Sequence, residues 1–130
     1  LVGLFSRTPK DFQREANTKK FKEIKKLVKE KKYASALKSG TEYLKKTPNH
    51  HDVLFIVGGI YYMDDKYEIA ISYFDRSLEI GSHDIDVLLL KAYSHQKLGE
   101  NKQVIRCCDI IQEIDPKNEA VSKLLEQLNS

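Results

Sequence analysis

An all-helical chain assembled from recurring helical hairpins is the fold this sequence predicts, and three observations carry the prediction. Tyr33-Ala34-Ser35-Ala36-Leu37 and Tyr67-Glu68-Ile69-Ala70-Ile71 write one pattern twice, 34 residues apart. The same step links Leu54 to Leu88, Gly58 to Ala92, Ala36 through Ala70 to Val104, Leu37 through Ile71 to Ile105, and Pro48 through Ser82 to Pro116. Between these marks apolar residues recur at helical spacing, and Gly, Pro, Asn and Asp stand where the pattern stops. A recurring unit of this length cannot bury its apolar face alone and must stack on copies of itself, so the predicted architecture is an α-solenoid.

Each element is set by its own residues. Residues 18–31 place Phe21, Ile24, Leu27 and Val28 on one helical face, and Tyr33 opens a return helix with Ala36, Leu37, Tyr43 and Leu44 inward, stopped by Pro48 and Asn49. The second pair spans 52–63 and 67–80, with Asp64-Asp65-Lys66 as its turn and Gly81-Ser82 as its stop. The third spans 85–98 and 102–114, divided by Gly99-Glu100-Asn101 and closed by Asp115-Pro116. A seventh helix over 119–129 turns Val121, Leu124, Leu125 and Leu128 inward and keeps Lys123, Glu126 and Gln127 on a polar outer face, the cap a stack needs for solubility. The expected organisation is therefore an apolar and basic extension over 1–16, units over 17–50, 51–84 and 85–118, and a capping helix over 119–130.

Composition agrees with a soluble globular chain: 41% hydrophobic and 32% charged residues in 130. No apolar run approaches the roughly 18 residues of a spanning helix. Residues 1–5 are too short for a signal-peptide core. Cys107 and Cys108 are adjacent in a helical stretch, where their side chains diverge and a bridge between them is strained. Two free thiols, a reducing compartment and a cytoplasmic location are expected. The net charge of +3 conceals a polarity: residues 1–50 carry fourteen Lys and Arg against five Asp and Glu, and residues 51–130 carry eight against fourteen. Such blocks steer acidic partners or favour head-to-tail association, while a plainer reading is a lysine-rich solvated face.

Three units in register resemble the tetratricopeptide repeat (TPR) family over residues 17–119. The middle unit fits best, with Gly58, Tyr61, Tyr67, Ala70, Phe74 and Leu78 in the family's places, and Ala36 and Ala92 hold the matching small positions in the units on either side. Small residues let two helix backbones approach, and the neighbouring aromatics fill the adjoining space. Departures are as informative. Ile24 and Gly40 exchange the small and bulky places, while Asn101, Val104 and Cys108 replace an aromatic, an alanine and an aromatic. Cys108 is read as a small packed hydrophobe and Cys107 as the more exposed of the two.

The resemblance implies a right-handed superhelix whose concave groove, lined by the first helix of each pair, takes an extended or helical segment of another protein. Carried over place by place, the groove is Phe21 and Lys25, then Phe55, Gly59, Tyr62 and Met63, then Leu89, Tyr93, Gln96 and Lys97. Family members that hold a chaperone's C-terminal carboxylate use lysines, an arginine and asparagines. Here those places carry Phe21, Ile56, Gly59, Asp86 and Leu90, with Lys25 where an asparagine would sit, so a different partner is expected. Aromatic and methionine side chains are those enriched in interface cores.

Three other features bear on function. Leu1, Val2, Leu4, Phe5 and Phe12 precede the repeats, with Pro9 able to open a short helix through residue 16. That segment can fill the groove of its own molecule, exchange into a neighbour's to give a homodimer, cap the first unit, stay disordered or touch lipid. Lys19, Lys20, Lys22, Lys25, Lys26, Lys29, Lys31 and Lys32 with Phe21 and Tyr33 offer nucleic acid a charged and stacking surface, against which stand their spread round most of the helix and the absence of arginine there. His50-His51-Asp52 and His83-Asp84 fall at inter-repeat turns, where polar residues cap helices, and no third ligand of like quality adjoins them. No phosphate loop, nucleophile motif or zinc signature is present, and His95 reads as a packed residue. The expected protein is a non-catalytic interaction module with no cofactor, no metal and no membrane span.

Overall fold

Seven α-helices occupy residues 9–129, the part of the chain that the computed structural model describes; Asp11 is described by its backbone alone. They are α1 (Pro9–Lys29), α2 (Tyr33–Lys46), α3 (His51–Met63), α4 (Tyr67–Ile80), α5 (Ile85–Lys97), α6 (Asn101–Ile114) and α7 (Glu119–Leu128), with no strand among the described residues. The second helix of each pair begins and ends one repeat step after its predecessor, at 33–46, 67–80 and 101–114. The apolar segment at residues 2–5 lies outside the described residues.

The turn inside each hairpin has one backbone solution, used three times. Lys31, Asp65 and Gly99 are left-handed, with φ of 60°, 59° and 73°. The next residue then sends its N–H back five positions: Lys32 to the Leu27 carbonyl at 2.8 Å, Lys66 to Tyr61 at 2.9 Å, and Glu100 to His95 at 2.9 Å. This closure satisfies carbonyls at a helix end that would otherwise lack a partner. Only the third site carries the glycine that this conformation favours.

Between hairpins the device is an N-cap. His50, Asp84 and Asn118, again one step apart, accept the backbone N–H of Val53, Val87 and Val121 and so start α3, α5 and α7. The second helices, each preceded by a tight left-handed turn, have no side-chain cap.

The chain forms two compact units, Leu1–Pro48 and Asn49–Ser130. In the first, α1 and α2 pair, with Ile24, Ala36, Gly40, Tyr43 and Leu44 buried. The expected short helix ending at residue 16 and the repeat helix beginning at 18 are one 21-residue element. Nothing between Ala16 and Thr18 breaks a helix, and Pro9 sits at the first helical position, where its missing N–H costs nothing.

In the second unit α3 to α6 form two hairpins closed by α7. Ala70, Phe74 and Val87 make one buried cluster. Leu88, Ala92, Val104, Cys107, Cys108, Ile111, Val121 and Leu124 make another, and this one carries the inner face of α7. Gly58 is required by close approach: a Cβ there would lie 2.7 Å from the Phe74 ring and 3.2 Å from the Tyr73 Cβ. One repeat later Ala92 and Cys108 lie in one buried cluster, so the larger small residue goes with the smaller bulky one. Contrary to expectation Cys107 is as sealed as Cys108, at 3% and 0% exposure. Burial pushes the Cys107 thiol up to about 11.

Candidate functional site

Within the second unit, the first helices α3 and α5 carry the residues expected to meet a partner. Phe55 and Tyr62 are half-buried against the Ala70, Phe74 and Val87 cluster, and the Phe55 ring lies 6.2 Å from that of Phe74. Tyr62 meets Tyr67 edge to face at 5.6 Å. On α5, Leu89 and Tyr93 rest on the second cluster in the same half-buried way. The Tyr62 hydroxyl is held above its ordinary pKa, first by burial and then by the charge of Asp65, and it lies near Tyr93.

These rings are therefore anchored by one edge and open at the other, which fixes their orientation without removing them from the surface. Gly59 leaves a notch between Phe55 and Tyr62, with no heavy atom within 4 Å of where its Cβ would be. Met63 is 53% exposed and Lys97 is exposed, at the ends of α3 and α5. Of the residues assigned to packing, Ala36, Gly58, Ala70, Phe74 and Ala92 are buried, Tyr61 stacks on Tyr73 at 5.7 Å, and Tyr67 is half-buried.

One contact made by a candidate residue, Gln96, was not expected from the sequence. Gln127, placed by its sequence on the outer side of the last helix, accepts a hydrogen bond from the Gln96 side chain at 2.6 Å and so links α7 to α5. The signal was present, since 25, 59, 93 and 127 are successive repeat steps. In the first unit Phe21 is half-buried and Lys25 holds its ammonium 4.4 Å above the ring, a cation–π contact that keeps an exposed charge on an apolar base. That unit also has a cleft of about 440 Å³ between its helices, where Lys20, Lys45 and Lys46 are interspersed with Glu23 and Glu42.

The two histidine clusters do meet, though not as a metal site. His51 Nε2 lies 2.8 Å from Asp84 Oδ2, and its Nδ1 lies 2.9 Å from Ser77 Oγ and 2.8 Å from the Ser77 carbonyl. A serine, histidine and aspartate in line at these distances resemble a hydrolytic triad. Ser77 is 0% exposed and its hydroxyl also lies 3.1 Å from the His51 carbonyl, so no substrate can approach the oxygen. Among the described residues no three His, Cys, Asp or Glu are placed to hold a metal ion, and no helix is long and apolar enough to cross a membrane. His95 is buried and hydrogen-bonds Glu100 at 2.9 Å, on the α5–α6 turn.

No family model matches the sequence, and no curated protein matches it. Solved structures do. The first TPR of Spaghetti (RPAP3), bound to the HSP90 peptide SRMEEVD, superimposes with a TM-score of 0.78 at 15% identity, covering 88% of this chain and 94% of that one. The Arabidopsis OM64 TPR domain gives 0.79 at 14% identity, with coverage of 88% and 94%. The second TPR domain of human RPAP3, in complex with the HSP70 peptide SGPTIEEVD, gives 0.76 at 14%, with coverage of 85% and 92%.

Proposed function

Because the chain has the tetratricopeptide-repeat fold, we propose that it is a non-catalytic protein-interaction module that holds a partner's peptide or amphipathic helix against α3 and α5. The observation that carries this reading is the row of half-exposed rings at Phe55, Tyr62 and Tyr93, seated on buried clusters and edged by Met63, Gln96 and Lys97. A face of this kind offers area for apolar anchors and polar groups to set their register. Structural neighbours in complex with HSP90 and HSP70 peptides support a protein as the ligand class. The ligand differs from theirs, because the places that would hold a terminal carboxylate carry Phe21, Ile56, Gly59, Asp86 and Leu90.

A photo-crosslinking side chain at Met63, with Ile105 on α6 as a control site, tests the reading in extract of the source cells. Discrete adducts are expected at position 63 alone, sensitive to protease, resistant to nuclease and lost with Tyr93→Ala. Adducts that vanish with nuclease would replace the protein partner with a nucleic acid. Titration with the peptide SRMEEVD is expected to show no saturable binding, and low-micromolar affinity would overturn the exclusion of chaperone tails.

A further inference from the structure

We propose that His51 is a proton-responsive clamp that fastens α3, α4 and α5 at one end while its ring carries two protons, and loosens that junction when it carries one. The ring stands in the first turn of α3 and reaches two other elements. Its Nδ1 faces the carbonyl of Ser77 in the last turn of α4 at 2.8 Å, and its Nε2 faces Asp84 at 2.8 Å. Asp84 is also the N-cap of α5, its other oxygen accepting from Asp86 and Val87. Gly81 gives the ring its room, since a Cβ there would lie 2.8 Å from His51 Cε1.

A carbonyl and a carboxylate are both acceptors, so both contacts are hydrogen bonds only when both ring nitrogens donate. In the neutral ring the carboxylate keeps the single N–H, and a bare Nδ1 lone pair then points at a carbonyl oxygen. The Ser77 hydroxyl, 2.9 Å from Nδ1, can turn to donate to it but must then leave the His51 carbonyl it otherwise serves at 3.1 Å. Deprotonation thus removes one bond between α3 and α4 and replaces the ion pair with the α5 cap by a weaker hydrogen bond from a neutral ring to the carboxylate. The charged groups acting on the ring are Asp84 from the α4–α5 turn and Asp52 from its own helix, while α4 presents the Ser77 carbonyl and hydroxyl. His83 of the same turn contacts Ser82, and His50 accepts from Val53. Burial pulls the His51 pKa down, but the bonds to Asp84 and Ser77 and the charges of Asp84 and Asp52 outweigh it and leave it raised. The side chain is 22% exposed, which gives protons access. Since α5 carries Leu89 and Tyr93, a weaker hold on its cap changes how that part of the proposed face is held.

The test uses the full chain and needs no partner, so it stands or falls apart from the binding reading. The His51 ring protons are followed by NMR between about pH 5 and 9, together with amide exchange over residues 82–88 corrected for its intrinsic pH dependence. The expected midpoint lies above the free-imidazole value of about 6.5 and falls by about one unit, a tenfold change in proton affinity, in Asp84→Asn, which keeps a capping oxygen but no charge. Exchange should slow several-fold below the midpoint in the natural chain and show no such step in the variant. Should Asp84→Asn fail to fold, Ser77→Ala serves: it removes the donor that the neutral ring needs, and the midpoint should rise. A midpoint at or below the free value, one that neither variant moves in the stated direction, or exchange without a pH step overturns the clamp.

Discussion

Lys31, Asp65 and Gly99 share one backbone posture with three different side chains, and that difference is measurable. A left-handed L-residue costs about 1–2 kcal/mol, and glycine returns part of the gain as chain entropy. Lys31→Gly is therefore expected to stabilise the protein by about 0.5–1 kcal/mol in urea unfolding, and Gly99→Ala to cost about 1 kcal/mol. Asp65 tolerates the posture better, since aspartate visits this region and here accepts the Tyr67 hydroxyl at 2.8 Å. A second pairing of residue sizes is open to a double-mutant cycle. Cys108→Phe alone overpacks the third hairpin and should cost about 1–3 kcal/mol, whereas joined to Ala92→Gly it recreates the Gly58 and Phe74 pair and should recover at least half of that. The exchange of sizes was legible from Ile24 and Gly40 by their repeat spacing. The burial of Cys107 was not, because a helix position beside a buried one is normally half-open and here a shared cluster with residues of α5 and α7 closes it.

At the level of elements, punctuation decided most boundaries: Pro48, Gly81 and Pro116 end their hairpins within a residue or two of the observed helices. The first helix escaped that logic, because its early residues lack an inward apolar stripe and only the absence of a breaker joins them to the repeat helix. The caps are where single side chains control whole elements. Asn118→Ala removes the acceptor of the Val121 N–H and should cost about 1 kcal/mol, with hydrogen exchange rising first in α7. His51 gives a pH dependence of fixed sign. With its folded pKa raised, its contribution is complete below the unfolded value near 6.5 and fades as pH climbs through the folded one. Melting temperature should therefore be lower at about pH 8.5 than at about pH 5.5, where most carboxylates are still ionised, and His51→Gln should flatten that difference.

For the molecule as a whole, the repeat spacing was enough to reach the helical architecture, because a period of this length leaves few ways to bury the apolar faces. The candidate face was legible in part. Phe55, Tyr62, Leu89 and Tyr93 lie on two neighbouring helices of one unit, as their register implied, but the reach of Gln127 to Gln96 depended on extending the period through a helix read only as a lid. The meeting of His51, Ser77 and Asp84 was not legible, since 26 and 33 residues separate the partners and each alone resembles ordinary turn chemistry. The charge polarity between the two halves of the sequence has its own readout. A short RNA titrated by fluorescence polarisation is expected to bind weakly and to be lost between about 50 and 200 mM salt, as nonspecific phosphate contact requires.

The sealed thiols of Cys107 and Cys108 amount to a stopwatch already wound into the third hairpin. With the Cys107 thiol pushed up to about 11 by burial and neither sulfur at the surface, an alkylating reagent has to wait for the hairpin to breathe. The rate of modification, followed by mass, would count those openings without any label being engineered in, and a ligand that grips α5 should make the stopwatch run slow.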